Sequence, residues 1–244
     1  MTDPGNLTAG YLLGGKVSYA QPRHGFRSGL EPVLLAAAIP ARAGQRVLEG
    51  GSGAGATLLC LAARVGSVQG LGIELDPAAV AVAQHNAAAN GWTNLEFRVG
   101  DLRSLPELDG FDHACANPPY HTQAGTPSPD LSRRAAKAAD PDTLSDWAAL
   151  LARSLRRHGT LTFILPAAVL PAAMAAFVAA DCRPTAALPL WPRCGEPAKL
   201  LILRGVKGSR APFRLLPGKI LHEPAGGFTE EAQQILRGGA ALEA

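Results

Sequence analysis

The stretch Val47-Leu48-Glu49-Gly50-Gly51-Ser52-Gly53-Ala54-Gly55-Ala56 decides how this chain is read. A short strand-like run begins at Arg46 and ends in Glu49, and residues 57–65 continue as an apolar, helix-like run. Glycines between a strand and a helix let a ligand approach the backbone closely, and the helix N-terminus offers unpaired N–H groups. The same residues fit the dinucleotide spacing Gly51-x-Gly53-x-x-Ala56, so the turn alone leaves the cofactor open.

Outward from the turn, strand-like segments at 46–49, 68–74, 95–99 and 111–116 alternate with helix-like segments at 57–65 and 77–90. Strands and helices at this spacing predict an α/β fold, a doubly wound and mostly parallel sheet with helices on both faces. Asp76 suits the cap of the helix at 77–90, Pro77 its first position, and Asn90-Gly91 its left-handed end. A second series follows, with a helix at 143–157 carrying a Thr143…Asp146 capping box, a strand at 160–165 and a helix at 167–180. Strands at 185–190 and 199–204 and an edge at 213–221 complete it. Residues 121–143, with three prolines and several charges, read as a long loop beside the site. A short helix at 33–39 precedes the first strand.

The 244 residues, 47% hydrophobic and 18% charged, suffice for one sizeable core and leave little room for two full domains. The expected organisation is an N-terminal segment, 1–45, at the mouth of the site, and one compact domain over 46–244. The formal charge of +3 is unevenly spread, because residues 47–120 hold 3 basic and 8 acidic side chains while basic residues dominate both flanks. Ordinary solvated surface charge also explains such a split. Cys60, Cys115, Cys182 and Cys194 form no Cys-x-x-Cys pair, which fits reduced thiols in a cytoplasmic protein. No apolar run reaches the roughly 18 residues needed to span a bilayer, and the N-terminus lacks a signal-peptide pattern. No membrane association and no metal are expected.

Glu49 separates the cofactor readings. A carboxylate two positions before the second turn glycine repels a pyrophosphate but pairs with the ammonium of a methionine moiety, so S-adenosylmethionine fits better than NAD. Glu74 ends the next strand, about 20 residues on, where a carboxylate accepts both ribose hydroxyls. Asp101, just past the third strand, can accept from an adenine amino group. Taken singly, Glu74 and Asp101 also read as solvated strand-end charges.

After the fourth strand comes Asn117-Pro118-Pro119-Tyr120. Two prolines stiffen the backbone and remove two N–H donors, leaving a corner that presents oxygen acceptors. The Asn117 side chain and the Pro118 carbonyl can both accept from one planar amino group, while Tyr120 offers a face for stacking. Methyl transfer to an amide-like or aniline-like nitrogen needs this arrangement, because two acceptors favour the pyramidal nitrogen whose lone pair attacks in line. A bare proline turn is the competing explanation.

In this order, the glycine turn, Glu74, Asp101 and the Asn-Pro-Pro-Tyr corner resemble a class I S-adenosylmethionine-dependent methyltransferase acting on an exocyclic amino group. Nearly the whole chain is similar to the bacterial tRNA1(Val) adenine-N6 methyltransferase family, through Gly25-Phe26-Arg27-Ser28-Gly29 with Glu31 and Leu34-Leu35, the corner itself, and Leu221-His222-Glu223 with Gly227-Phe228-Thr229. The family more often has Asp at the position of Glu31 and an apolar residue at that of Gly50. The resemblance implies a Rossmann-like fold with seven strands, the last antiparallel, and N6 methylation of an adenine in the tRNA1(Val) anticodon loop.

The resemblance further implies that Arg27, Gly29, Glu49, Gly51, Gly53, Gly55, Glu74, Leu75, Asp101, Leu102 and Asn117 bind S-adenosyl-L-methionine and its product S-adenosyl-L-homocysteine. Asn117, Pro118 and Tyr120 carry the chemistry, and Pro119, Tyr120, His121, Arg133, Arg134 and Lys137 meet the RNA. Arg153, Arg156 and Arg157 extend that basic track or line a solvated helix face, and Arg23 and His24 add charge near the mouth. A monomer and a homodimer both fit. Three alternatives stay open: a protein-glutamine N5-methyltransferase acting on release factors, disfavoured by the short stretch before Val47; a non-catalytic nucleic-acid-binding module; and an NAD-dependent oxidoreductase.

Overall fold

Successive side chains of a strand point to opposite faces, and here both sets are apolar, so one sheet must be covered on both sides. In the computed structural model, which describes residues 7–23, 29–104, 108–119 and 143–243, this is the arrangement found. The elements are β1 (Leu7–Leu12), β2 (Val17–Pro22), α1 (Glu31–Ala38), β3 (Arg46–Gly50), α2 (Ala56–Val65), β4 (Gln69–Glu74), α3 (Pro77–Ala89), β5 (Leu95–Val99) and β6 (Phe111–Ala116). They continue with α4 (Thr143–Ser154), β7 (Leu155–Pro166), α5 (Leu170–Ala179), β8 (Cys182–Trp191), β9 (Leu200–Lys207), β10 (Arg214–Leu215), β11 (Lys219–Ile220) and α6 (Glu230–Leu236).

The main sheet runs β10-β8-β9-β7-β6-β3-β4-β5, with β11 also on β8. Its seven longer strands are β3 to β9, and β9 lies antiparallel to both neighbours, as the resemblance implied. Val47, Cys115, Ile164 and Ile202 pack on one face with α1, α2 and α3, while Leu48, Ala114, Ala116, Phe163 and Leu203 pack on the other with α4 and α5. The chain moves outward from β3 through β4 to β5, then returns to β6 on β3's other side. The switch point therefore lies between the carboxyl ends of β3 and β6, the place where open α/β sheets bind ligands.

Two features went unread in the sequence. Residues 7–22 form an antiparallel hairpin, β1 on β2, whose available signal was Gly14-Gly15 between apolar runs. Two asparagines four apart on α3 hold it in place. Asn86 Oδ1 accepts from Ala20 N at 2.8 Å and its Nδ2 donates to Ala20 O at 2.9 Å, and Asn90 repeats both bonds with Ser18 at 2.9 and 2.8 Å. The two amides thus pair with alternate residues of β2 as a neighbouring strand would. Asn86 Nδ2 also donates to Ala54 O at 3.0 Å, joining the hairpin to the glycine turn. The other omission is α6, capped by Thr229 Oγ1 accepting from Ala232 N at 3.1 Å.

Half-buried arginines fix α1. Arg64 Nη2 donates to Ala36 O at 3.0 Å and Ile39 O at 2.6 Å, and Arg204 Nη2 donates to Ala38 O, so cations meet the negative end of the helix. Asp76 caps α3 through Ala78 N at 2.9 Å, as expected. The helix expected over 143–157 instead ends at Ser154, and β7 begins at Leu155 rather than Thr160. Tertiary contacts outweigh local propensity there: Lys207 Nζ takes the carbonyls of Ala152 and Leu155 at 2.8 and 2.7 Å, and Arg156 pairs with Asp112 at 2.7 Å. The side chain of Thr143, expected to cap α4, lies outside those described. The edge expected over 213–221 is two short strands, both parallel to β8.

Asn86→Ala leaves Ala20 N and the carbonyls of Ala20 and Ala54 without this partner. Urea unfolding is expected to show a loss of about 1–3 kcal/mol, the scale of buried backbone groups left unsatisfied. A variant as stable as the parent would show that the hairpin is not anchored through this amide.

Candidate functional site at the carboxyl edge of the sheet

Parallel register brings the read motifs to one edge. Glu49 lies opposite Gly72 on β4 and Cys115 on β6, and Gly50 lies opposite Ile73 and Ala116. Asn117 thus begins one residue beyond the Gly50–Ala116 rung. Glu74 pairs with Val99 at the end of β5, two residues before Asp101. Glu49, Gly51, Gly53, Gly55, Glu74, Leu75, Asp101, Leu102, Asn117, Pro118 and Pro119 therefore gather on this edge. Gly29 lies just before α1 and lines a separate hollow with Tyr11, Leu13, Phe228 and Arg237. Arg27, Tyr120, His121, Arg133, Arg134 and Lys137, with His24 and the loop read at 121–142, lie outside the described residues.

The turn is held by its own amides. Gly51 N and Ser52 N both donate to Ile73 O, at 2.8 and 3.1 Å, and Gly55 N donates to Ser52 O at 2.8 Å. Gly51, Gly53 and Gly55 have φ of 64°, 52° and 86°, the left-handed region that disfavours a side chain. A Cβ on Gly55 would lie 2.8 Å from Phe97 Cζ, whereas one on Gly53 would meet nothing within 4 Å, so the backbone at Gly53 is open to a ligand.

Glu49 points to the same face as Val47, toward α2. It is 3% exposed, and it accepts from the Thr57 side chain and the Leu58 backbone while Oε2 has no partner. Burial, with a smaller contribution from the charge of Glu74, pushes its carboxyl up to about 8. A buried acceptor of this kind matches an arriving cation. Glu74 is tied more fully, with Oε2 accepting from Gly53 N at 2.9 Å and Oε1 from Asp76 N at 3.1 Å, yet a carboxylate keeps further lone pairs for hydroxyl donors. Beside it Leu75 is 63% exposed and Val99 51% exposed, apolar groups that a planar ring would cover. Asp101 accepts from Arg103 N at 2.9 Å and pairs with the Arg103 guanidinium, which holds its carboxyl below the usual range.

Sequence reading missed Trp147. Gly50 faces α4, and a Cβ there would lie 2.8 Å from Leu102 Cδ1 and 3.2 Å from Trp147 Cζ3, while one on Gly51 would lie 2.7 Å from Trp147 Cη2. The indole fills the space that an apolar side chain at position 50 would take, which accounts for glycine at that position. Leu102 accordingly packs toward Trp147 and the core on that face. The only signal in the sequence was the departure at Gly50 itself. Arg153, Arg156 and Arg157, read as an extension of the basic track or as a solvated helix face, stand at the foot of α4 and the start of β7, the end of the sheet opposite Asn117.

The profile of a family described as a methyltransferase domain matches residues 41–171. This chain belongs to that family. A tRNA1(Val) (adenine(37)-N6)-methyltransferase of Actinobacillus succinogenes is 34% identical over 149 residues, 59% of this chain and 63% of the relative. One from Aeromonas hydrophila is 28% identical over 191 residues, 76% of this chain and 79% of the relative. The match thus spans about three fifths of the first relative's length. Among solved structures, a predicted O-methyltransferase of Agrobacterium tumefaciens aligns with a TM-score of 0.70 at 21% identity, over 87% of this chain and 98% of its own. The chain therefore has the Rossmann-like fold of class I methyltransferases.

Four buried or exposed thiols form no disulfide among the described residues, and burial holds Cys60 and Cys182 up at about 12, so neither is a nucleophile at neutral pH. No group of three or more metal-ligating side chains occurs among the described residues, and none of their helices is long and apolar enough to cross a membrane.

Because the folded state raises the Glu49 carboxyl from 4.5 to about 8, its contribution to stability is fully present below pH 4.5 and is lost as pH rises through 8. Glu49→Gln removes that titration. The variant should gain on the order of 1–3 kcal/mol relative to the parent between pH 5 and pH 9 in chemical denaturation. A parent-minus-variant difference independent of pH would contradict a buried, protonated Glu49.

Proposed function

We propose that the protein transfers a methyl group from S-adenosyl-L-methionine to the N6 amino group of an adenine in tRNA, releasing S-adenosyl-L-homocysteine. The observation that carries this reading is the register placing Asn117-Pro118-Pro119 one residue beyond the Gly50–Ala116 rung, beside the glycine turn. The names of the relatives, tRNA1(Val) (adenine(37)-N6)-methyltransferases, supply the tRNA class.

The cofactor supplies an electrophilic methyl on a sulfonium. Glu49 receives its ammonium and gives up a proton in doing so, since burial otherwise keeps the carboxyl neutral. Glu74 accepts from the ribose hydroxyls, Leu75 packs on the adenine, and Asp101 accepts from its amino group. Gly51, Gly53 and Gly55 let the ligand lie against the backbone. Arg27, in the segment 1–45, completes the mouth.

At the corner, the Asn117 side-chain oxygen and the Pro118 carbonyl accept the two hydrogens of the target amino group, and Tyr120 stacks on the base. Holding both hydrogens favours the pyramidal nitrogen, so no strong base is needed. Pro119, His121, Arg133, Arg134 and Lys137 contact the RNA around the exposed base, and the protein acts as a monomer or homodimer in the cytoplasm. Incubation with labelled S-adenosylmethionine and tRNA from a strain lacking the enzyme, followed by nucleoside analysis, tests the reading. Labelled N6-methyladenosine is expected. Label in release-factor glutamine and none in tRNA would replace the substrate, and no transfer to either would leave a non-catalytic module.

Glu74→Ala should weaken S-adenosylmethionine binding by about 1.5–3 kcal/mol in calorimetry, the scale of lost hydrogen bonds to a charged group. Asn117→Ala should instead lower kcat by about 10²–10³ in single-turnover methylation while leaving cofactor affinity within a few-fold. Near-normal turnover by Asn117→Ala would remove the acceptor corner from the mechanism.

A further inference from the structure

The end of the sheet opposite the candidate site carries a concentration of positive charge that none of the proposed chemistry uses. The foot of α4, the start of β7, the start of β8 and the end of β9 meet there. Arg153, Arg156, Arg157, Arg183, Lys207 and Arg210 stand against Asp112 and Asp181. That excess of four exceeds the formal +3 of the whole chain. The segments are in direct contact: Gly208 N donates to Asp181 O at 3.0 Å, and a Cβ on Gly208 would lie 3.8 Å from the Arg157 guanidinium carbon.

Half of these cations have structural work. Lys207 takes the last carbonyls of α4, Arg156 pairs with Asp112, and Arg153 lies in the last turn of α4, where a cation suits the helix dipole. Arg157, Arg183 and Arg210 are exposed, and among the described residues none of them has an ion-pair partner. Like charges gathered on a fold edge with so few counter-charges cost stability through repulsion, and a polyanion relieves that cost.

We propose that this edge is a second RNA contact, a phosphate-binding surface for a duplex arm of the substrate that runs down α4 from the target base. The inference rests on the tRNA reading above. The geometry sets the scale: Leu155 lies opposite Phe111, so along β6 the corner at Asn117 stands six residues from that level, roughly 20 Å at strand spacing. An isolated loop does not reach that far, and a folded RNA with a stem does. The contact is to backbone phosphates, so it adds affinity and orientation without reading sequence.

The test compares the parent with R157A/R183A/R210A and with a control, R193A/K219A/R237A, that removes the same charge elsewhere. Binding of full-length tRNA is measured against salt, along with methylation of full-length tRNA and of a short single-stranded oligonucleotide carrying the target adenine. The first triple variant should flatten the slope of log K against log[salt] by about 2–3 and raise the KM for full-length tRNA at least five-fold. Its kcat, its S-adenosylmethionine affinity and its KM for the single-stranded oligonucleotide should stay at parental values. An unchanged slope, or an equal loss in the control, would overturn the surface. Loss of binding to anionic vesicles with tRNA binding intact would assign it to a membrane instead and overturn it likewise. A parent that binds tRNA with the steep slope but methylates no RNA would keep the surface and defeat the reading on which it was built.

Discussion

Two amides sharing one carbonyl set the geometry of this protein. Gly51 N and Ser52 N both bond to Ile73 O, so the chain leaving β3 is fastened to the end of β4 before it enters α2. Everything that approaches the site is arranged around that fastening. Gly53, now projecting, donates to Glu74; Gly55 turns back under Phe97; Ala54 presents its carbonyl to Asn86. A side chain at Gly51 or Gly55 would displace an indole or a phenyl ring, and the left-handed φ at both positions adds a backbone penalty. The turn is therefore specified from three sides, by β4, by α3 with its hairpin, and by Trp147 on α4.

That convergence explains which parts were legible in the sequence. The βαβ alternation, the α3 cap and the switch-point motifs are local patterns with fixed physical causes, and β3 to β6 form within a residue or two of where the pattern puts them. The failures share a different cause. The α4–β7 junction moved because Lys207 and Asp112, distant in sequence, take the carbonyls and the guanidinium that set it. The β1–β2 hairpin depends on Asn86 and Asn90, about 70 residues away, whose amides stand in for a third strand. No window of sequence contains both halves of such contacts.

The site divides along the same line. Glu49, Glu74 and the Asn-Pro-Pro corner are readable because each sits at a strand end, and parallel register then places strand ends together. Trp147 was not readable, because its role is defined by a missing side chain at Gly50 on a strand nearly a hundred residues earlier. The position of Arg153, Arg156 and Arg157 was not readable for the converse reason. In sequence they follow the corner and its loop, but α4 carries the chain back across the sheet before they appear.

Burial gives Glu49 and Glu74 different parts although both are carboxylates on one edge. Glu74 keeps solvent contact and two backbone donors, which suits an acceptor that shapes the turn before any ligand arrives. Glu49 is sealed with one oxygen unpaired, and its neutral form is favoured until a positive charge comes near. A positive charge brought beside Glu49 would favour its ionised form. While Glu49 is neutral, two like charges are not held together at the ends of the neighbouring strands β3 and β4. Charge also separates the two ends of the sheet, where the carboxyl edge gathers Glu49, Glu74 and Asp101 and the amino edge gathers arginines with few acids between them.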